Sequence, residues 1–120
     1  MIDDDSPVPV SSETVVEALR SRIGRGRLET WLTSSYGRSL ALVTNTRRAM
    51  VMLLEEEGDP GEHAVDPGAQ GASGGFLLVD GQEDEYADED TVPLHEALGL
   101  VRHIVATGSW PADAPRVTDR

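Results

Sequence analysis

Two apolar runs lie almost back to back in this chain: Ser39–Thr44 (SLALVT) and Arg47–Leu54 (RRAMVMLL), separated only by Asn45 and Thr46. A connection that short joins antiparallel strands, because parallel neighbours need a crossover of about a dozen residues. The first run is apolar enough for a central strand. The second contains Ala49-Met50-Val51-Met52-Leu53-Leu54 unbroken, which suggests burial on both faces. A helix competes for it, but its short length and the turn signals on both sides favour a strand. The centre of the fold is therefore read as an antiparallel sheet.

Other segments add to that centre. Leu28–Thr33 alternates, with Leu28, Thr30 and Leu32 on one face and Glu29, Trp31 and Thr33 on the other, and reads as a strand. Ser34–Arg38 is a turn. His63–Asp66 is a short strand after the charged turn Glu55–Pro60. Pro67–Gly74 is rich in Gly and Ala and reads as a loop. Phe76–Val79 and Gln82–Tyr86 flank Asp80-Gly81, a pair favoured in a two-residue type I′ hairpin turn. Two helices bracket the strands. The first has Ser11 and Ser12 as caps, Glu13 in its first turn, Val16, Leu19 and Ile23 on one face, and Gly24 and Gly26 at its end. The second is capped by Thr91, with Pro93 in the first turn. Leu94, Ala97, Leu98, Val101, Ile104 and Val105 form its apolar stripe, and Gly108 its C-cap. The order gives an α+β fold: an antiparallel sheet of about six strands, with an N-terminal and a C-terminal helix packed on one face. Residues 1–10 are expected to be a mobile acidic tail and 11–120 one domain. From Trp110 onward the chain is expected to lie over that domain.

Length and composition bound the chemistry. A chain of 120 residues builds one modest core. Its aromatics are Trp31, Tyr36, Phe76, Tyr86 and Trp110, so Leu, Val, Ala, Ile and Met must fill most of the interior. The absence of cysteine excludes disulfides and thiolate metal sites. No apolar run approaches the roughly 18 residues of a membrane helix. The start, Met1-Ile2-Asp3-Asp4-Asp5, is acidic where a secretory signal is basic, so a cytoplasmic address is expected. All ten cations are arginine, a usage that suggests a GC-rich bacterial genome.

Charge is the other strong signal. Residues 49–101 contain neither lysine nor arginine but hold 14 carboxylates, and Asp80–Asp90 (DGQEDEYADED) carries seven of them. The net charge of −12 argues against direct binding of nucleic acid or anionic membrane, because affinity for phosphate comes mainly from basic side chains. It favours basic protein partners and speeds their encounter.

Reactive groupings are few. His95 and His103 are eight apart on the last helix, too far to share a metal. His95-Glu96-Ala97-Leu98-Gly99 lacks the second histidine of a zinc-protease helix. Glu62, His63 and Asp66 are read as an exposed loop cluster. Asp80-Gly81-Gln82-Glu83-Asp84 places its glycine wrongly for a calcium loop. Gly68–Gly75 has neither GxGxxG spacing nor a following lysine. Ser34, Ser35 and Ser73 have no adjacent base motif. The chain is expected to be no enzyme and to need neither cofactor nor metal.

An ordered series of residues points further: Gly74-Gly75-Phe76-Leu77-Leu78, Gly81-Gln82, Glu85-Tyr86, Thr91-Val92-Pro93-Leu94, Glu96-Ala97-Leu98, Ala106-Thr107-Gly108 and Pro111. With this series the chain resembles the first-numbered immunity-protein family of bacterial polymorphic toxin systems, common in actinobacteria. The likeness spans roughly residues 28–120. Two positions depart from the family pattern: Ala87 stands where a proline usually follows the aromatic, and Arg116 where a tryptophan often ends the chain. The resemblance implies a small α+β protein that binds and neutralises a cognate toxin, often a nucleic-acid deaminase. It supplies no catalytic residues. Combined with the charge, it makes Asp80, Glu83, Asp84, Glu85, Tyr86, Asp88, Glu89 and Asp90 the candidate toxin-binding residues, with Tyr86 as aromatic anchor. The alternatives are an acidic adaptor for an unrelated basic protein, a small enzyme with carboxylate chemistry, and a merely solvated acidic face.

Overall fold

The two central runs form adjacent antiparallel strands, paired from Ser39↔Leu54 to Thr44↔Ala49. The structure is a computed structural model and describes residues 2–3, 10–34, 37–56 and 58–119. In chain order its elements are β1 (Ile2–Asp3), α1 (Val15–Gly24), β2 (Glu29–Thr33), β3 (Ser39–Thr44), β4 (Arg48–Leu54), β5 (Glu62–Ala64), β6 (Ala72–Leu77), β7 (Glu83–Ala87), a 3-10 turn (Asp88–Asp90), β8 (Val92–Pro93), α2 (Leu94–Thr107) and β9 (Arg116–Thr118). The main sheet runs β1-β2-β3-β4-β5-β9, and β8 adds to β4. All its pairings are antiparallel. Both helices cover one face, as the sequence implies. Leu32, Leu40, Leu42, Val51 and Leu53 of the sheet meet Val15, Leu19, Leu98, Val101 and Ile104 of the helices in one core.

β6 and β7 do not extend this meander. They form a separate two-stranded sheet laid on the opposite face, with β6 against β3. Ala41, Val43 and Phe76 are buried there, outside the helix-side core. Two side chains tie the hairpin down. Glu29 Oε1 accepts from the Val79 N–H at 2.9 Å, and Asn45 Nδ2 donates to the Gly74 carbonyl at 3.0 Å. The second apolar face of β3 asks for such a cover, but it does not say which segment supplies it. β4, read as buried on both faces, alternates instead: Ala49, Val51 and Leu53 are buried, while Met50, Met52 and Leu54 are half-buried.

Local readings shift in instructive ways. α1 begins after a turn in which the N–H groups of Thr14 and Val15 both donate to the Ser11 carbonyl, at 3.1 and 2.9 Å. Neither Ser11 nor Ser12 is its N-cap; Thr14 is. Its buried face is Val15, Leu19 and Arg22, with Val16 and Ile23 at the flanks. An apolar pattern passes over Arg22, which is buried because its Nε donates to Thr30 Oγ1 at 3.0 Å. Pro93 occupies the N-cap position of α2, and Thr91 does not cap it. The stripe on α2 is as read: Ala97, Leu98, Val101 and Ile104 are buried, with Leu94 and Val105 packed beside them.

The hairpin turn also differs. Gly81 N–H donates to the Leu78 carbonyl at 3.0 Å and Leu78 N–H to the Gln82 carbonyl at 2.8 Å. Gly81 has φ +88° and Asp80 does not have positive φ. A type I′ turn needs both central residues at positive φ. The loop is instead Val79–Asp80–Gly81, with glycine in the left-handed position. Strand β6 starts at Ala72, so the glycine-rich loop ends earlier than Gly74. Of the expected tail, Ile2–Asp3 pairs with Leu32 and Trp31; residues 1 and 4–9 lie outside the described residues, as do Ser35 and Tyr36. Beyond Trp110 the chain returns to the sheet as β9 on β5, which fills the place the sequence left open around Arg116.

Candidate functional site

The acidic segment is built on the hairpin and the turn that follows it. β7 alternates: Glu83, Glu85 and Ala87 are exposed, while Asp84 and Tyr86 are half-buried. Strand periodicity alone produces that split. Asp80, in the tip, is exposed and caps its own turn by accepting from the Gln82 N–H at 2.9 Å. Glu89, in the 3-10 turn, is exposed. Glu83, Glu85 and Glu89 make no side-chain hydrogen bond or ion pair among the described residues.

The other four candidates are engaged inside the molecule. Tyr86 meets Phe76 edge-on, ring centroids 4.8 Å apart. Its hydroxyl donates to Asp84 Oδ2 at 3.2 Å. Burial, then the hydrogen bond to Asp84 and the charges of Asp84 and Glu29, push the phenol above its ordinary range. Asp88 accepts from Ser73 Oγ at 2.6 Å and lies 4.0 Å from Arg48 Nε. Asp90 Oδ1 is 3.0 Å from His63 Nε2.

Arg48 is the residue that sequence reasoning missed. Its side chain is only 20% exposed. Its Nη2 donates to Asp66 Oδ2 at 2.6 Å, to the Asp88 carbonyl at 3.1 Å and to the Thr91 carbonyl at 2.9 Å. Its Nε donates to Thr91 Oγ1 at 2.8 Å. The planar guanidinium suits such divergent acceptors. One signal was in view: Arg48 is the cation that ends just where the cation-free span begins. The Glu62, His63 and Asp66 cluster is likewise no exposed loop. Glu62 pairs with Arg116 at 3.5 Å, Asp66 with Arg48, and His63 is held between two carboxylates. Each of these acids sits near a cation or imidazole brought from a distant part of the chain.

Two hollows lie elsewhere. One, of about 710 Å³, sits between Ser34, Arg38 and the end of α2, against Leu32, Leu40, Leu53 and Ile104. No Asp, Glu or His among the described residues lines it. The other, about 780 Å³, opens between the hairpin tip and β2 and is lined by Glu29, Trp31, Leu77 and Val79 among others. Among the described residues no group of three or more His, Asp or Glu side chains is arranged to hold a metal. No described helix is long and apolar enough to cross a membrane.

Compared with known proteins, the chain matches no family model and no curated sequence. The arrangement itself offers a display of carboxylates on a hairpin with an apolar tip: Val79 is 80% exposed, and its N–H donates to Glu29.

Proposed function

We propose that this protein is a cytoplasmic immunity protein that binds a cognate toxin domain and blocks access to its substrate, the toxin being a nucleic-acid deaminase. The reading rests on the ordered series from Gly74 to Pro111. It is supported by one observation above the others: Asp80, Glu83, Glu85 and Glu89 are exposed, whereas Asp84, Asp88 and Asp90 make side-chain contacts within the fold. A domain that grips a nucleic-acid backbone carries a basic groove. Four exposed carboxylates on and beside a hairpin complement such a groove and repel the substrate from it. Val79 at the tip gives the surface an apolar contact. Tyr86, half-buried with its ring edge-on to Phe76, is the aromatic residue of the proposed surface.

Co-expression with the toxin domain encoded beside this gene tests the reading. Survival of the host and co-purification of a stoichiometric complex are expected. Replacing Asp80, Glu83, Glu85 and Glu89 together by lysine should slow association by tenfold or more and remove most of its salt dependence, roughly the scale of electrostatic steering. Unchanged binding by that variant, with its fold intact, would show that the interface lies elsewhere.

A further inference from the structure

His63 lies in the middle of β5, opposite Met52 of β4 and Val117 of β9. Its side chain is 15% exposed. Nδ1 is 2.8 Å from Asp119 Oδ1, and Nε2 is 3.0 Å from Asp90 Oδ1. An ionised carboxylate only accepts hydrogen bonds, and a neutral imidazole has one N–H and one lone pair. A neutral ring therefore satisfies one of these aspartates and turns a lone pair on the other. Only the imidazolium donates to both. The second oxygen of Asp119 is buried without a hydrogen-bond partner.

No other charged side chain is brought to this ring among the described residues. The facing groups are Asp90 from the 3-10 turn and Asp119 just beyond β9. Met52 and Val117, beside it on β4 and β9, do not titrate. Glu62 and Arg116 alternate to the other face and pair with each other.

We propose that His63 is a proton-dependent clasp that holds the closing strand and the acidic turn onto β5. β9 is three residues long, exposed throughout, and pairs only with β5. Besides the ladder, whose ends are Val65 N–H to the Pro115 carbonyl and Asp119 N–H to the Gly61 carbonyl, two side-chain contacts attach it to β5: the Arg116–Glu62 pair and the clasp. The sign follows from the donors: both contacts are made while the ring is protonated, and one is lost as the pH rises through its deprotonation. The clasp belongs to the free protein and does not depend on any partner.

The test follows the His63 ring nitrogens by NMR on the full chain, between about pH 5 and 8. The exchange of the Val65, Val117 and Asp119 amides, corrected for intrinsic rates, is measured in the same samples. Protection of these amides should fall about tenfold or more in step with ring deprotonation, the scale of one charge-assisted hydrogen bond, while β3 and α2 stay protected. In Asp119→Asn the side-chain amide can donate to a neutral Nδ1 while Nε2–H donates to Asp90, so protection should persist at the higher pH. His63→Gln should abolish the pH dependence. Constant β9 protection across the wild-type ring titration, or an unaltered pH dependence in either variant, would overturn the clasp.

Discussion

Arg48 and Tyr86 show how single side chains convert excess charge into structure. Arg48 gathers Asp66, Asp88 and Thr91 from segments far along the chain, so its removal leaves partly buried acceptors without a donor. Arg48→Ala is expected to lower unfolding free energy by about 2–3 kcal/mol, somewhat below the cost of breaking a fully buried pair because its shell is partly wet. Arg48→Lys should recover only part, since one ammonium cannot reach divergent acceptors. Urea denaturation midpoints measure both. Tyr86 gives a pH prediction. Its phenol is raised above the ordinary tyrosine value of about 10, so between its unfolded and folded values the native state holds the proton that the unfolded chain has released. Stability is therefore independent of this group below about pH 10 and falls as the pH rises above it. Tyr86→Phe should flatten that fall, as read from unfolding curves at alkaline pH.

At the scale of elements, the hairpin is an appendage with its own small core. Phe76 is fully buried between it and the main sheet. Phe76→Ala should cost about 3–4 kcal/mol and raise amide exchange in β6 and β7 before it affects β3 or β4, because attachments with fewer apolar contacts open first. The β4–β5 turn makes a separate demand. Gly61 has φ +87°, and a Cβ there would lie 3.1 Å from the Leu53 carbonyl oxygen. Gly61→Ala combines a left-handed backbone with a close approach to main chain, and a loss of about 1–2 kcal/mol is expected in thermal or urea unfolding. Beside it, the Asp59 carboxyl accepts from the N–H groups of Glu55 and Gly61 at 2.9 and 3.0 Å. Those two bonds hold it below the usual carboxylate range.

For the molecule as a whole, a charge of −12 on one small domain favours expansion through self-repulsion. Raising ionic strength from about 0.01 to 0.15 M shortens the Debye length from roughly 30 to 8 Å. The melting temperature should rise over that range, by calorimetry. A drop would mean that screened ion pairs such as Arg38–Glu55, 2.7 Å apart, outweigh the net repulsion. What was legible in the sequence is what depends on neighbours along the chain. The periods of β2 and α2, the apolar run of β3, the short turn at Asn45-Thr46 and the helices on one face all follow from local spacing and the hydrophobic effect. What only the tertiary structure decided depends on residues brought together across long loops. Examples are the hairpin folding over β3 rather than joining the meander, Arg48 reaching Asp66 and Thr91, and His63 meeting Asp90 and Asp119. A carboxylate in a sequence looks the same whether it will face water or an arginine. The chain supplied 14 of them in one cation-free span, and the fold turned some onto Arg48 and His63 and left Asp80, Glu83, Glu85 and Glu89 outward. Pattern along the chain fixes which face of an element is apolar; which distant cation reaches a given acid is settled only when the layers pack.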